Sequence, residues 1–290
     1  MQQTISNAEF TRTRGYLDAG RVNQQAWWMA EHSTSEIAVR DCRIRLMRGG
    51  TGDPLLYLHG ASGAAWLPVL QKLSEKYDVI APEHPGFGES DTPDWLDTIH
   101  DLAYFYLDVM EQLKLRNVHL VGNSLGGWLA AEIAVRNTSR LASVTLCNAA
   151  GLYVPGAKQS DSFMMSEEQR LREFFYDPRK AEEMVARVMD PEREDTVLKN
   201  RATVAKLSWQ PRSHDPHLPK WLHRIDVPTL VIWGDHDKSF PKEHAQAYHK
   251  AIPGSQLVMV PKCGHVPQIE KPDEFVAALE SFISARKQAA

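Results

Sequence analysis

Residues 117–135 constrain this chain more than any other stretch. Asn117-Val118-His119-Leu120-Val121 is a short apolar run that reads as a buried strand, and Gly127-Trp128-Leu129-Ala130-Ala131-Glu132-Ile133-Ala134-Val135 reads as a helix. Between them lies only Gly122-Asn123-Ser124-Leu125-Gly126, so strand must become helix in one tight turn with Ser124 at its apex. Gly122 and Gly126 carry no side chain, which lets strand and helix pack close while the serine backbone takes a strained conformation. Such a turn holds a hydroxyl out at the carboxyl edge of a sheet, where ligands bind in open α/β folds.

The surrounding pattern supplies that sheet. Cys42-Arg43-Ile44-Arg45-Leu46-Met47 alternates like a half-buried strand, residues 48–54 form a Gly-rich turn, and Leu55-Leu56-Tyr57-Leu58 is a buried strand ending at His59-Gly60. Trp66, Val69, Leu70 and Leu73 fall at helical spacing, residues 77–82 form the next strand, and Leu102, Phe105, Val109 and Leu113 mark a helix. After the turn at Ser124, residues 141–147 form another buried strand. Strands alternating with helices imply a parallel sheet with helices on both faces. The rhythm breaks over residues 152–223, which hold no good strand, many charges and prolines, and helical stretches near 166–176, 178–189 and 192–207. It returns with a strand at 229–233, a helix at 242–251, a strand at 257–260, and a last amphipathic helix with Phe275, Leu279 and Phe282 on one face. The expected organisation is a leader at 1–30 with a helix near 12–25, a first core part at 31–151, an inserted helical cap at 152–223, and a second core part at 224–290.

The formal charge of −4 and the lack of a basic block give no reason to expect nucleic acid as a partner. No apolar run reaches the length that spans a bilayer, and Trp27-Trp28-Met29 reads as a knot packed on the body, so no membrane partner is expected. Residues 1–10 are polar and lack the apolar centre of a signal peptide. Cys42, Cys147 and Cys263 are odd in number and widely spaced, which suits reduced core thiols and a cytoplasmic location.

A serine hydroxyl is nearly un-ionised at neutral pH and needs a base within hydrogen-bond reach, itself oriented by a third group. Of twelve histidines, His265 fits best, because it follows the last strand and Gly264 lets the chain turn toward the sheet edge. The orienting acid should follow the preceding strand, where Ile232-Trp233-Gly234-Asp235-His236-Asp237 offers two candidates. Ser124 reads as a nucleophile in the order serine, acid, histidine.

With these residues the chain resembles the α/β-hydrolase superfamily over roughly residues 37–290. The resemblance implies an α/β-hydrolase fold: a mostly parallel eight-stranded sheet, helices on both faces, and an inserted helical cap. The family's W-G-x-x-D ending selects Asp237 as the acid and leaves Asp235 to cap the turn. Its H-G after the third strand corresponds to His59-Gly60, making the Ala61 amide one oxyanion donor, and the residue after the nucleophile, Leu125, the other. Pro85-Gly86-Phe87-Gly88-Glu89-Ser90 and the G-H-x-P-x-x-E-x-P ending from Gly264 to Pro272 are also typical. His59 reads as a packing and hydrogen-bonding group behind the oxyanion loop.

The expected function is a serine hydrolase acting on a small or medium carboxylic ester, or a related acyl bond, through a Ser124-His265-Asp237 triad and an acyl-enzyme, with a small-molecule acyl substrate as partner and no cofactor. A homo-oligomer stays open. One alternative is a carbon–carbon bond hydrolase of vinylogous diketone ring-cleavage products, which the G-N-S-L-G-G and C-G-H segments resemble. Those enzymes usually carry a G-x-G-P-G run where this chain has Gly60-Ala61-Ser62-Gly63-Ala64, and Trp where it has Val266. An alternative of another class is a ligand-binding receptor on a hydrolase scaffold. His214-Asp215-Pro216-His217 lacks further ligands at metal-site spacing and reads as a solvated cap loop. Phe163, Phe174, Phe175, Tyr176 and Trp209 read equally as pocket lining or as core.

Overall fold

The strands lie at Ser33–Val39 (β1), Cys42–Gly49 (β2), Asp53–Leu58 (β3), Tyr77–Pro82 (β4), Val118–Asn123 (β5), Leu141–Cys147 (β6), Thr229–Gly234 (β7) and Gln256–Val260 (β8). They form one sheet in the order β1-β2-β4-β3-β5-β6-β7-β8. The pairings β1–β2 and β2–β4 are antiparallel, and every pairing from β4 across to β8 is parallel. This computed structural model describes residues 32–287. The expected leader with its helix near 12–25, and the Trp27-Trp28-Met29 knot, lie outside the described residues.

Strand chemistry follows position. Each residue of β5 and of β7 is buried, because helices cover both faces there, and such strands read as continuous apolar runs. β1 is an edge strand with exposed Ser33, Thr34, Ser35 and Glu36, and its polar face gives no apolar alternation to read. It was not expected as a strand, and its pairing with β2 in continuous register shows that it is one.

Helices Pro68–Ser74 (α1), Ile99–Gln112 (α2) and Leu125–Arg136 (α3) connect the first strands; α2 starts at a capping box in which Thr98 and Asp101 satisfy each other's backbone N–H. The second half adds Lys242–Ala251 (α7), Pro267–Glu270 (α8) and Pro272–Lys287 (α9). One face of the sheet packs Leu102, Phe105, Leu129, Ile133 and Tyr248 from α2, α3 and α7. The other packs Val69, Leu70 and Leu73 of α1 against Phe275, Leu279 and Phe282 of α9. Each such side chain contributes about 1.5–3 kcal/mol when fully buried.

Between β6 and β7 the described chain is helical, with Glu167–Glu173 (α4), Pro178–Val188 (α5), Glu194–Ser208 (α6) and several 3₁₀ turns. The first of these ends earlier than expected. Asp177 precedes Pro178, which disfavours helix there, and its side chain caps Arg179 N at the start of α5. No helix of the described residues is long and apolar enough to cross a membrane.

Candidate active site

β5 ends at Asn123 and α3 begins at Leu125, so Ser124 alone makes the turn, with φ 55° and ψ −117°. A non-glycine residue there stores about 1–3 kcal/mol of strain and persists only when its surroundings over-determine it. Here they do. Ser124 N–H donates to Cys147 O at 2.9 Å, and Ser124 O accepts from Gly127, Trp128 and Ala150 N–H at 3.0–3.1 Å. A Cβ on Gly122 would sit 2.1 Å from Gly126 O, so strand and helix meet where neither can carry a side chain.

The loops after β7 and β8 bring two more side chains to this point. His265 Nδ1 donates to Asp237 Oδ2 at 2.9 Å. Nε2 is thereby left to accept Ser124 Oγ–H, also at 2.9 Å. All three residues are buried, His265 to 1% exposure. Asp237 is held by Ser239 and Phe240 N–H on Oδ1, at 2.8 and 3.1 Å, and by Asn148 Nδ2 on Oδ2 at 2.6 Å. Asp235 points elsewhere. It accepts Cys263 N–H at 3.3 Å and meets His236 Nδ1 at 2.5 Å, tying one turn to the next. Glu270 secures the histidine loop by accepting Gly264 N–H and Asp177 N–H, both at 2.6 Å.

After β3 the chain makes a turn closed by Gly63 N–H to Gly60 O at 3.1 Å. His59 Nδ1 donates to the same carbonyl at 2.8 Å, and its Nε2 accepts His84 N–H at 2.9 Å. His84 stacks on His59 at 3.6 Å, donates from Nε2 to His59 O, and meets Tyr106 Oη through Nδ1. Burial pushes His59 down to about 4 and His84 well below its ordinary value, so both rings are neutral at neutral pH. In a trans peptide C=O and N–H point in opposite directions. Holding Gly60 O toward His59 therefore turns the Ala61 N–H away from it, and Ala61 borders the same cavities as Ser124. Leu125, the first residue of α3, has an N–H without an acceptor inside the helix, at the positive end of its dipole. A hydroxyl beside an imidazole and an imidazole beside a carboxylate can activate a nucleophile, and the larger cavity that Ser124 borders is also lined by Ala61 and Leu125, whose amides are the candidate donors to an oxyanion.

Two cavities flank Ser124, of about 320 Å³ and 100 Å³. Ala61, Ser124, Phe174 and His265 border both. The aromatic residues of the helical insertion divide between roles. Phe163 and Phe174 line the larger cavity, and Phe174 and Phe175 the smaller. Tyr176 is 44% exposed and packs on His236, while Trp209, 49% exposed, packs on Phe163 and Arg212.

One expectation is corrected. Asp215 is not in a solvated loop but is buried, with its carboxylate 3.0 Å from His100 Nε2 of α2. His100 lies 3.7 Å from Glu132 of α3, and the three residues could together hold a cation. Glu132, however, already accepts Trp128 Nε1 at 2.9 Å and Arg136 Nη1 at 2.5 Å, so a guanidinium balances its charge. Glu132, foremost, and Asp215 hold His100 above its ordinary pKa, which makes the cluster an ionic latch between insertion and core. Asn148 was also missed; it directly follows β6 beside the turn, and the rule that ligands gather at strand carboxyl ends could have singled it out.

An alpha/beta hydrolase family model matches residues 55–278. Lipase 1 of Psychrobacter immobilis is 30% identical over 250 residues, covering 80% of this chain and 77% of the lipase. A 2-hydroxy-6-oxo-6-(2'-aminophenyl)hexa-2,4-dienoic acid hydrolase of Metapseudomonas resinovorans is 27% identical over 256 residues, covering 83% of this chain and 88% of that protein. A crystal structure of a membrane phospholipase A, described as a bacterial virulence factor, superposes with a TM-score of 0.72 at 25% identity over 88% of this chain and 87% of its own. The 2-hydroxy-6-oxo-6-phenylhexa-2,4-dienoate hydrolase of Rhodococcus sp. strain RHA1 superposes with a TM-score of 0.75 over 88% of this chain and 99% of its own; at 23% identity this likeness speaks to fold alone.

Proposed function

The chain belongs to the alpha/beta hydrolase family and is a hydrolase, and from that premise we propose that it cleaves a small or medium carboxylic ester through an acyl-enzyme on Ser124. The observation that carries this reading is the unbroken hydrogen-bond chain from Ser124 Oγ through His265 to Asp237, on the wall of both cavities. In the first half-reaction Oγ attacks the acyl carbon while His265 Nε2 takes its proton. The tetrahedral oxyanion receives the Ala61 and Leu125 amides, and Asp237 stabilises the imidazolium. His265 then returns the proton to the leaving alkoxide. In the second half-reaction His265 deprotonates water, which attacks the acyl carbon, and then returns that proton to Ser124 Oγ as the acyl–oxygen bond breaks and the acid leaves. General base help contributes about 10²–10⁴ in rate, and each oxyanion donor about 10²–10³. The insertion serves as a cap, and the unequal cavities suit an ester with one larger and one smaller half.

A second reading is carbon–carbon bond hydrolysis of a vinylogous diketone acid. What favours it is the smaller cavity, whose lining includes the guanidinium-bearing Arg187 and Arg193. Burial, foremost, and the Arg193 charge push Arg187 down to about 10, which leaves it cationic at neutral pH and suited to a substrate carboxylate. A panel of p-nitrophenyl acyl esters of several chain lengths and one vinylogous diketone acid separates the two. Ester turnover abolished by Ser124→Ala supports the first reading. Turnover of the diketone acid alone supports the second. No turnover of either, in folded protein, speaks against both.

A further inference from the structure

Ser62 follows Ala61 in the turn after β3, and the helical insertion grips it twice. Asn200 Nδ2 donates to Ser62 O at 3.2 Å, and Arg170 Nη2 donates to Ser62 Oγ at 3.3 Å. Gly63 leaves the space that Asn200 enters: with φ +92°, a Cβ there would lie 2.6 Å from Asn200 Nδ2. Asn200 itself is 4% exposed on α6, and its Oδ1 accepts Gly88 N–H at 2.9 Å. Helix α6 is bolted to the loop after β4 by further bonds that do not involve Ser62. Lys199 Nζ donates to Gly88 O and Ser90 O at 2.9 and 2.6 Å, and Thr203 Oγ1 donates to Gly86 O at 2.6 Å. The helix is therefore a fixed post against which the turn is held.

Ala61 lies between two peptide planes. The one before it is held through Gly60 O by His59 and Gly63. The one after it joins Ala61 to Ser62, and the next plane along, which carries the Ser62 carbonyl, is held by Asn200. We propose that Asn200 is a positioning residue for the oxyanion site: its bond to Ser62 O keeps the turn that carries the Ala61 amide in register, so the insertion completes the site that the core begins. This inference rests on the serine-ester reading above. It gives the insertion a part in transition-state stabilisation besides substrate selection. A misplacement of about 1 Å in such a site costs on the order of 10²-fold in rate.

Asn200→Asp is the direct test. It keeps the shape and the acceptor for Gly88 N–H, and sets an oxygen in place of the donor to Ser62 O. With the best p-nitrophenyl ester, kcat is expected to fall about 10- to 100-fold while KM stays within about threefold. Affinity for phenylboronic acid, which mimics the tetrahedral adduct, falls by the same factor as kcat/KM. Thr203→Val removes a bolt of α6 without touching Ser62, and is expected to lower the melting temperature while leaving kcat and boronate affinity unchanged. Should Asn200→Asp not fold, Asn200→Ser, too short to span both partners, gives the same readout. Wild-type kcat and boronate affinity in the Asn200 variant would overturn the inference. So would an equal loss of both in Thr203→Val. If Ser124→Ala keeps turnover, the serine reading itself has failed. If Ser124→Ala is inactive and Asn200→Asp is not impaired, only the positioning role has.

Discussion

The sheet edge and the helical insertion meet at Ser124 but are built in different ways. On the sheet edge, the side chains of interest are buried, and backbone groups hold most of them: Ser239 and Phe240 N–H hold Asp237, and Cys147 O holds Ser124. On the outer side of the insertion, ion pairs and half-exposed rings lie together, such as Arg212 between Asp161 and Trp209. Backbone-held buried groups have one low-energy arrangement, whereas exposed ion pairs contribute roughly 0–1 kcal/mol each and are easily rearranged. On the proposed reading, reaction chemistry belongs mainly to the sheet edge and selectivity to the outer insertion, with Asn200, Arg170 and Asp215 as the joints between them.

The comparison is tested most severely on the rigid side. Asp237→Asn is expected to lower kcat about 10⁴-fold, by leaving His265 in the wrong tautomer, with little change in KM. Asp235→Asn, two residues away but bonded to Cys263 N–H and His236 rather than to His265, is expected to cost less than about tenfold. Equal losses in the two would break the distinction between an acid that orients His265 and one that shapes a loop. On the adaptable side, Phe163→Ala should enlarge the larger cavity and shift kcat/KM between the shortest and longest esters by about tenfold, in the range that one or two methylenes command. A uniform loss across the ester series would place Phe163 with the chemistry instead.

The smallest effects are those of pH on stability, where a histidine beneath the site and one in the latch to the insertion differ in sign. His59 is buried neutral, with its folded pKa lowered to about 4 from an ordinary 6.5. The unfolded chain takes up the proton first, so this contribution is present above pH 6.5 and is lost as pH falls toward 4. His100 is the reverse. Its folded pKa is raised, so the latch to Glu132 and Asp215 contributes fully below pH 6.5 and is lost as pH rises through the raised value. Its side chain is 39% exposed, so solvent screens the latch and the shift in melting temperature is small. Melting curves from pH 4.5 to 8.5 on the wild type, His59→Gln and His100→Gln separate the two: His59→Gln should flatten the acid limb and His100→Gln the alkaline one.

What was legible in the sequence divides along the same line. β3, β4, β6 and β7 show as apolar runs because the sheet is covered on both faces, and the turn at Ser124 shows because so few residues separate strand from helix. β1 was hidden by its exposed polar face, since an edge strand needs no apolar alternation. Asp215 was misread because its partners, His100 and Glu132, lie far away in the chain and meet it only through packing. Asn200 gave no signal for the same reason: its partners, Ser62 and Gly88, lie 138 and 112 positions away. Local spacing carries turns and strand ends; contacts between insertion and core depend on how the two are packed.

The central claim is that Ser124, activated by His265, is the reacting group. Intact-protein and peptide mass spectrometry after exposure to a fluorophosphonate test it most directly. One covalent adduct on Ser124, lost in Ser124→Ala and strongly slowed in His265→Ala, is the predicted result. No adduct in folded protein, or an adduct at another residue that persists in Ser124→Ala, would contradict it.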